Sequence, residues 1–343
     1  GPGRCFDRVS RRRKVMKNRL LVLVALAALM SLVAGLACGQ AEVAPAPTPV
    51  APEPTVTLAS APTATPVPVA TTIPTPEPTY EPVTIVDGSG QEFVFTEPPE
   101  RIMAYGSAVV EILFAIGEGH RIVGTHDFVE YPPEASEVTR VGSAFEINVE
   151  TILALEPDLV YLFSPGFMDD LQGAGLRVLF LPSRSSGFEE TAADIRLWGR
   201  IVGNPDAAEE LAVDFEERLA AIKSALAGVG AGSRVFRDEG GLWTPGPDTL
   251  IGEVLELLKL DNIAFDISGF EQISPEVIVD RDPEIIIATD FSTIDTDEAF
   301  SGVTAIKDGR VFRMPGEPLS VPGTRFIQGI EDLARQIYPE LFP

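Results

Sequence analysis

From Val83 onward, apolar and polar positions fall into short segments whose period switches between two and about 3.6 residues. "VTIVDGSGQEFVF" (83–95) places two alternating stretches around a Gly-containing turn and predicts a β-hairpin. Strand-like and helix-like segments then take turns. "RIMAY" (101–105) predicts a strand, "SAVVEILFAIG" (107–117) a helix stopped by Gly117, and "RIVGT" (121–125) a strand. A helix from Asn148 follows, with strands at "DLVYLF" (158–163) and "RVLFL" (177–181). Between 188 and 227 the pattern turns helical, broken only at "NPD", and Leu211, Phe215, Leu219, Ile222 and Leu226 form one apolar stripe. After "GVGAGS" (228–233), read as a flexible joint, the alternation resumes. Its parts are a strand at 234–237, helices from Thr249 and Ser274, strands "EIIIAT" and "RVFRM", and a last helix over 324–338.

Alternation of this kind with β-branched strands predicts an α/β protein with largely parallel sheets. The expected architecture is two α/β lobes, 83–187 and 229–343, joined by a long helical connector, 188–228. A repeat supports two equivalent halves. "NVETILALEPDLVYLF" (148–163) returns as "SPEVIVDRDPEIIIAT" (274–289), aligning Glu150 with Glu276, Ile152 with Ile278 and Pro157 with Pro283. Asn148 and Ser274 are N-cap types, Pro275 suits the first helical position, and a first-turn Glu is favoured by the helix dipole.

The first 82 residues follow other rules. A basic run ending in "MKNR" precedes eighteen mostly apolar residues, Leu20 to Ala37, and then Cys38, so 1–37 reads as a targeting segment. "VAGLAC" is similar to a bacterial lipoprotein signal with Gly35 where Leu is usual, which makes Cys38 the expected lipidation site. The alternative is a retained anchor, because eighteen helical residues reach about 27 Å. Both place the rest of the chain extracytoplasmically, on the outer face of the cell membrane. If Met16 is the start, Cys38 is the only Cys, leaving no disulfide framework and no thiolate metal site. The Pro/Thr/Ala-rich stretch to Pro82 has too few large apolar residues to fold and reads as an extended linker.

The 343 residues are 45% hydrophobic, enough for a substantial core, and carry a net charge of −25. That balance argues against nucleic acid as a partner. Enzyme motifs are missing: there is no GxSxG, HExxH, CxxC or GxxxxGK[ST], and "GVGAGS" follows a helix where a dinucleotide loop must follow a strand. No cofactor is expected. With only His120 and His126, both in the first half, a His-rich metal site spanning two lobes is not available.

The run 101–163, through "EILFAIG", "RIVG", "YPPEA", "VG" and "ALEPDLV", resembles the first lobe of the substrate-binding proteins of ABC importers for iron-siderophores, cobalamin and haem. The second lobe matches more loosely through "WTPGPDTLIGEVLELL", the repeated helix and "GRVFRM". The resemblance implies a ligand cleft between the lobes, a permease dimer with its ATPase as partner, and a docking Glu on each lobe, here Glu150 and Glu276. It implies capture of a metal chelate for import. A surface-anchored enzyme or a ligand sensor on the same scaffold is the alternative.

Open α/β sheets bind ligands beyond the carboxyl ends of their strands. On that rule the candidate contacts are Tyr105, Ser107, His126, Asp127, Phe128, Tyr131, Phe163, Phe167 and Arg184 in the first lobe, and Arg237, Trp243, Phe291 and Arg313 in the second. Aromatic faces with a few Arg suit a large planar or catecholate chelate.

Overall fold

The hairpin forms where the first alternating stretch predicts it: β1 (Val83–Val86) pairs antiparallel with β2 (Glu92–Phe95), Val83 opposite Phe95. The computed structural model describes residues 80–342 apart from 144, 183–186, 231 and 316. The targeting segment, Cys38, the linker to residue 79 and Arg184 lie outside the described residues.

The first sheet is built from β3 (Ile102–Tyr105), α1 (Ser107–Ala115), β4 (Ile122–Thr125), β5 (Thr139–Arg140), a short ribbon of β6 (Gly142–Ser143) and β7 (Glu146–Ile147), α2 (Val149–Ala154), β8 (Leu159–Leu162), α3 (Met168–Gly173) and β9 (Val178–Phe180). Its strands run in the order β5-β4-β3-β8-β9, all parallel. Two helices follow, α4 (Thr191–Val202) and α5 (Pro205–Ala225). The second half contributes β10 (Arg234–Asp238), β11 (Trp243–Pro245), α6 (Leu250–Leu257), β12 (Asp261–Asn262), β13 (Phe270–Gln272), α7 (Pro275–Arg281), β14 (Ile285–Ala288), α8 (Thr304–Lys307), β15 (Val311–Arg313), α9 (Glu317–Ser320) and α10 (Phe326–Ile337). Its sheet order is β12-β10-β14-β15, again parallel, with β11 and β13 forming a separate antiparallel ribbon.

The two sheets share one plan. Without edge strand β5, the first reads β4-β3-β8-β9 and maps onto β12-β10-β14-β15. The correspondence reaches single hydrogen bonds. Arg101, just before β3, sends Nε and Nη2 to the Leu155 carbonyl (3.0 and 2.5 Å) and Nε to that of Glu156 (3.1 Å), and Asp158 accepts from the Glu100 and Arg101 amides. In the second sheet Arg234 sends Nε to the Arg281 and Asp282 carbonyls (3.2 and 3.0 Å), and Glu284 accepts from its amide (3.0 Å). Glu156 (φ 47°) and Asp282 (φ 40°) end the two repeated helices in the left-handed region. A guanidinium thus gathers the carbonyls that each helix end leaves unpaired.

The connector folds back on itself rather than forming one rod. Gly203 ends α4 with φ 79° and Pro205 starts α5, so the break read at "NPD" is a reversal. Arg196 on α4 holds Glu209 (2.7 Å) and Glu216 (2.6 Å) on α5, which is about 31 Å long. "GVGAGS" is also more constrained than a flexible joint: the Cα of Gly232 lies against the Lys259 carbonyl, where no Cβ fits.

Alternation along the strands divides the core. Met103, Tyr105, Val160 and Leu162 face α2 and α3; Phe236, Ile286 and Ala288 face Ile278 of α7. The opposite faces, Ile102, Leu159 and Tyr161 in one sheet and Val235, Ile285 and Ile287 in the other, join the hairpin, connector, α6 and α10 in a single cluster. Trp198 of α4, fully buried, meets Tyr161 edge-on at 5.2 Å.

Candidate functional site

Beyond the carboxyl ends of β3, β4 and β8, the fold assembles six of the expected residues into one aromatic cluster. Tyr105 stacks on Phe163 (6.1 Å, 15°), meets Phe167 edge-on (5.7 Å) and His126 at 5.4 Å, and His126 in turn meets Phe163 (6.4 Å) and Phe128 (6.3 Å). Ser107 Oγ lies 3.4 Å from His126 Nε2. Gly106, Ser107, Ala108, His126, Tyr161 and Phe163 line a recess of about 190 Å3, closed on the other side by Ser320–Pro322 from the second half.

The tautomer of His126 follows from its partners. The Phe128 amide donates to Nδ1 (3.2 Å), so the proton of the neutral ring sits on Nε2 and points to Ser107. Burial, then the nearby Arg140 guanidinium, pull its pKa down to about 4. A Ser beside a His suggests nucleophilic catalysis, but this ring has its lone pair turned away from the hydroxyl and is a weak base. Tyr105 donates its hydroxyl to the Ser143 carbonyl, and burial, with Asp127 nearby, pushes its pKa up to about 12. Both rings are therefore neutral surfaces.

Other expected contacts lie around this cluster. Asp127 and Phe128 are exposed. Tyr131 lies under the Arg325 guanidinium (4.1 Å to the ring centroid) and lines a second recess of about 410 Å3 with Glu111, Phe114 and Pro133. On the second half, Trp243 is half exposed and Phe291 84% exposed. Asp248–Ile251, Ser268–Phe270 and Ser320 line a recess of about 330 Å3, so Ser320 borders both halves of the cleft.

Two arginines differ from expectation. β10 runs on to Asp238, so Arg237 lies inside the strand with 0% exposure, bonded to Glu239 (2.8 Å) and not presented to the cleft. Its Nη2, with Thr244 Oγ1 and Thr289 Oγ1, has no hydrogen-bond partner among the described residues. Arg313 reaches the Thr289 and Ser292 carbonyls (2.7 and 2.9 Å) and pairs with Asp295 (2.6 Å), so it fastens the loop after β14. His120 borders its turn, with Nδ1 3.3 Å from the Gly117 carbonyl. Among the described residues no group of three or more His, Cys, Asp or Glu is placed to hold a metal ion.

Three exposed aromatics escaped the strand-end rule, among them Phe265 (67% exposed), which lies under the Arg281 guanidinium at 4.7 Å. Phe145 (92% exposed) tips the β6–β7 ribbon and Phe270 belongs to β13. For the last two the signal was present: "FE" precedes the repeated helix in both halves, at 145–146 and 270–271.

The repeated helices put Glu150 and Glu276 on the surface. Asn148 caps α2 as expected, its side chain accepting from the Thr151 amide (2.9 Å). Ser274 makes no such bond; its hydroxyl lies with Glu276 and holds that carboxyl below its ordinary range. One turn along, Leu153 and Val279 occupy equivalent positions and are 43% and 45% exposed.

Comparison with known proteins places this arrangement. Residues 102–318 match the periplasmic binding protein family. The chain is 30% identical over 275 residues to the uncharacterized ABC transporter substrate-binding lipoprotein YvrC of Bacillus subtilis, covering 76% of this chain and 87% of that protein. It is 29% identical over 279 residues to a cobalamin-binding protein of Halobacterium salinarum, covering 75% and 74%. The crystal structure of the periplasmic vitamin B12 binding protein BtuF of Vibrio cholerae superposes with a TM-score of 0.63 at 24% identity, over 71% of this chain and 98% of that one. With two parallel sheets, an aromatic recess between them and a match over most of the folded region, the chain belongs to the periplasmic binding protein family, whose members bind solutes and are not enzymes.

Proposed function

We propose that the chain captures a metal chelate outside the cytoplasm, best a corrinoid of the cobalamin class, and delivers it to an ABC permease with its ATPase. The observation that carries the reading is the neutral recess lined by Ser107, His126, Tyr161 and Phe163, with the buried Tyr105 ring packed against His126 and Phe163. A lone pair already engaged by the Phe128 amide makes His126 a poor metal ligand, so the recess suits a chelate whose metal is already fully coordinated. Arg313 is committed to Asp295 and Arg237 is buried, which disfavours an anionic ferric siderophore among the three chelates. The names of the Halobacterium and Vibrio proteins support the same choice. Phe128, Tyr131, Phe145, Trp243, Phe270 and Phe291 would supply ring faces as the halves approach.

Glu150 and Glu276 are the docking positions in this reading. Each stands beside an equally exposed apolar side chain, so each offers an Arg-binding carboxylate with an apolar neighbour. Cys38 would carry the lipid that holds the protein at the membrane, with the linker providing reach.

The test is a melting panel on the purified full chain with cyanocobalamin, ferrioxamine B, ferric enterobactin and haemin. Cyanocobalamin at a hundredfold excess over Kd should raise Tm by about 5 °C or more. A panel in which no chelate shifts melting would overturn the reading.

A further inference from the structure

Two segments cross between the halves, and each is held by a carboxylate from the half it did not come from. The first crossing leaves β9 and enters α4. The Gly187 amide donates to both oxygens of Glu253 (2.9 and 2.7 Å) and the Phe188 amide to Oε2 (3.3 Å), and Glu253 belongs to α6 of the second half. The second crossing leaves β15 and enters α10. Glu111, fully buried on α1 of the first half, accepts from Arg325 Nε and Nη2 (3.0 and 2.7 Å), the Arg325 amide (3.2 Å) and Thr324 Oγ1 (3.3 Å). Gly323 passes so close that a Cβ there would lie 2.6 Å from the carboxylate.

The two carboxylates are equivalent in sequence. "SAVVEIL" (107–113) and "TLIGEVL" (249–255) place Glu fourth after a hydroxyl residue, each in the first helix after the first strand of its sheet. The crossings also touch each other: the buried rings of Phe188 and Phe326 lie 5.6 Å apart. Beside this contact, Ser320–Pro322 close the recess that holds Ser107, His126 and Phe163.

We infer that Glu111 and Glu253 are matched latches on the two crossings, positioning residues that set the angle between the halves and so the residence time of ligand in the cleft. Neither lines the recess that holds His126 and Phe163, although Glu111 borders the one beside Tyr131; each acts through the segment it grips. A shift at either crossing moves one wall of the cleft against the other, because the strap that bears Ser320 borders the recesses on both sides. The exposed Arg196 network lies elsewhere on the connector and provides a control.

The residence-time part rests on the proposed chelate capture; the latch itself does not. The experiment therefore has a ligand-free arm and a ligand arm, on the full chain carrying Glu111→Gln, Glu253→Gln, both together, or Arg196→Gln. Gln is isosteric and retains one acceptor oxygen, so the variants should fold. Without ligand, amide hydrogen exchange at Gly187 and Phe188 should rise about tenfold in Glu253→Gln, and that at Arg325 in Glu111→Gln, each leaving the other crossing unchanged. With cyanocobalamin as probe, the double variant should release ligand about tenfold faster while its association rate changes less than about threefold. Arg196→Gln should alter neither. Unchanged exchange at both crossings overturns the latches. Faster exchange with an unchanged off-rate overturns their control of residence, as does an equal rise in Arg196→Gln. If wild type binds no probe, the chelate reading falls and the exchange data alone decide the latches.

Discussion

At the scale of residues, His126 shows how a ring can be central to a site without being reactive. Its pKa of about 4, against 6.5 for the free side chain, means the folded protein resists a proton that the unfolded chain accepts. Stability from this group is present above pH 6.5 and is lost as pH falls toward 4. The urea midpoint should therefore drop between pH 7.5 and pH 5, and His126→Gln should flatten that drop; an identical slope in both proteins would refute the assignment. Tyr105, Ser107, His126 and Phe163 were legible in the sequence because strand ends point to the cleft whatever the details of packing. Arg237 and Arg313 were not, because a charge in the sequence does not say whether its partner is already supplied. For Arg313 it is, by Asp295 eighteen residues upstream. For Arg237 the strand simply runs one residue past it.

At the scale of elements, the repeated helix-strand unit was legible because its apolar spacing, Pro and acid recur at one offset. What binds that unit to its sheet was not. Arg101 just before β3 and Arg234 at the start of β10 are far in sequence from the helix ends whose carbonyls they gather. Arg101→Met and Arg234→Met should each cost about 0.5–1.5 kcal/mol, read by urea unfolding, since water only partly replaces the donor that gathers the exposed helix-end carbonyls. A cost at one site and none at the other would break the equivalence of the two clamps. The ribbons β6–β7 and β11–β13 also escaped the pattern. Strands of two or three residues carry no period to detect, and Gly at 142 and 269 reads as loop.

At the scale of the whole molecule, one continuous cluster joins the inner faces of both sheets to the connector and α10, so the halves are not independent bodies. The alternation and the helical middle foretold two sheets and a connector. They could not foretell that the connector doubles back or that the C-terminal strap forms a second crossing, since both depend on contacts between distant residues such as Arg196 with Glu216 and Glu111 with Arg325. Docking belongs to this scale too. Glu150→Arg with Glu276→Arg should leave chelate affinity within about twofold and abolish uptake in vesicles containing the permease, and Leu153→Asp with Val279→Asp should weaken uptake as well. Undiminished uptake would remove the docking role. In the docking reading, the equivalence of these two corners has a further consequence. A partner with its own twofold axis can receive the protein in either of two orientations half a turn apart, and a cargo with distinct ends would then meet the pore by one end or the other. Unless the unequal ribbons favour one seating, docking through Glu150 and Glu276 would offer two poses at each collision, and the end of the cargo presented would be decided only on arrival.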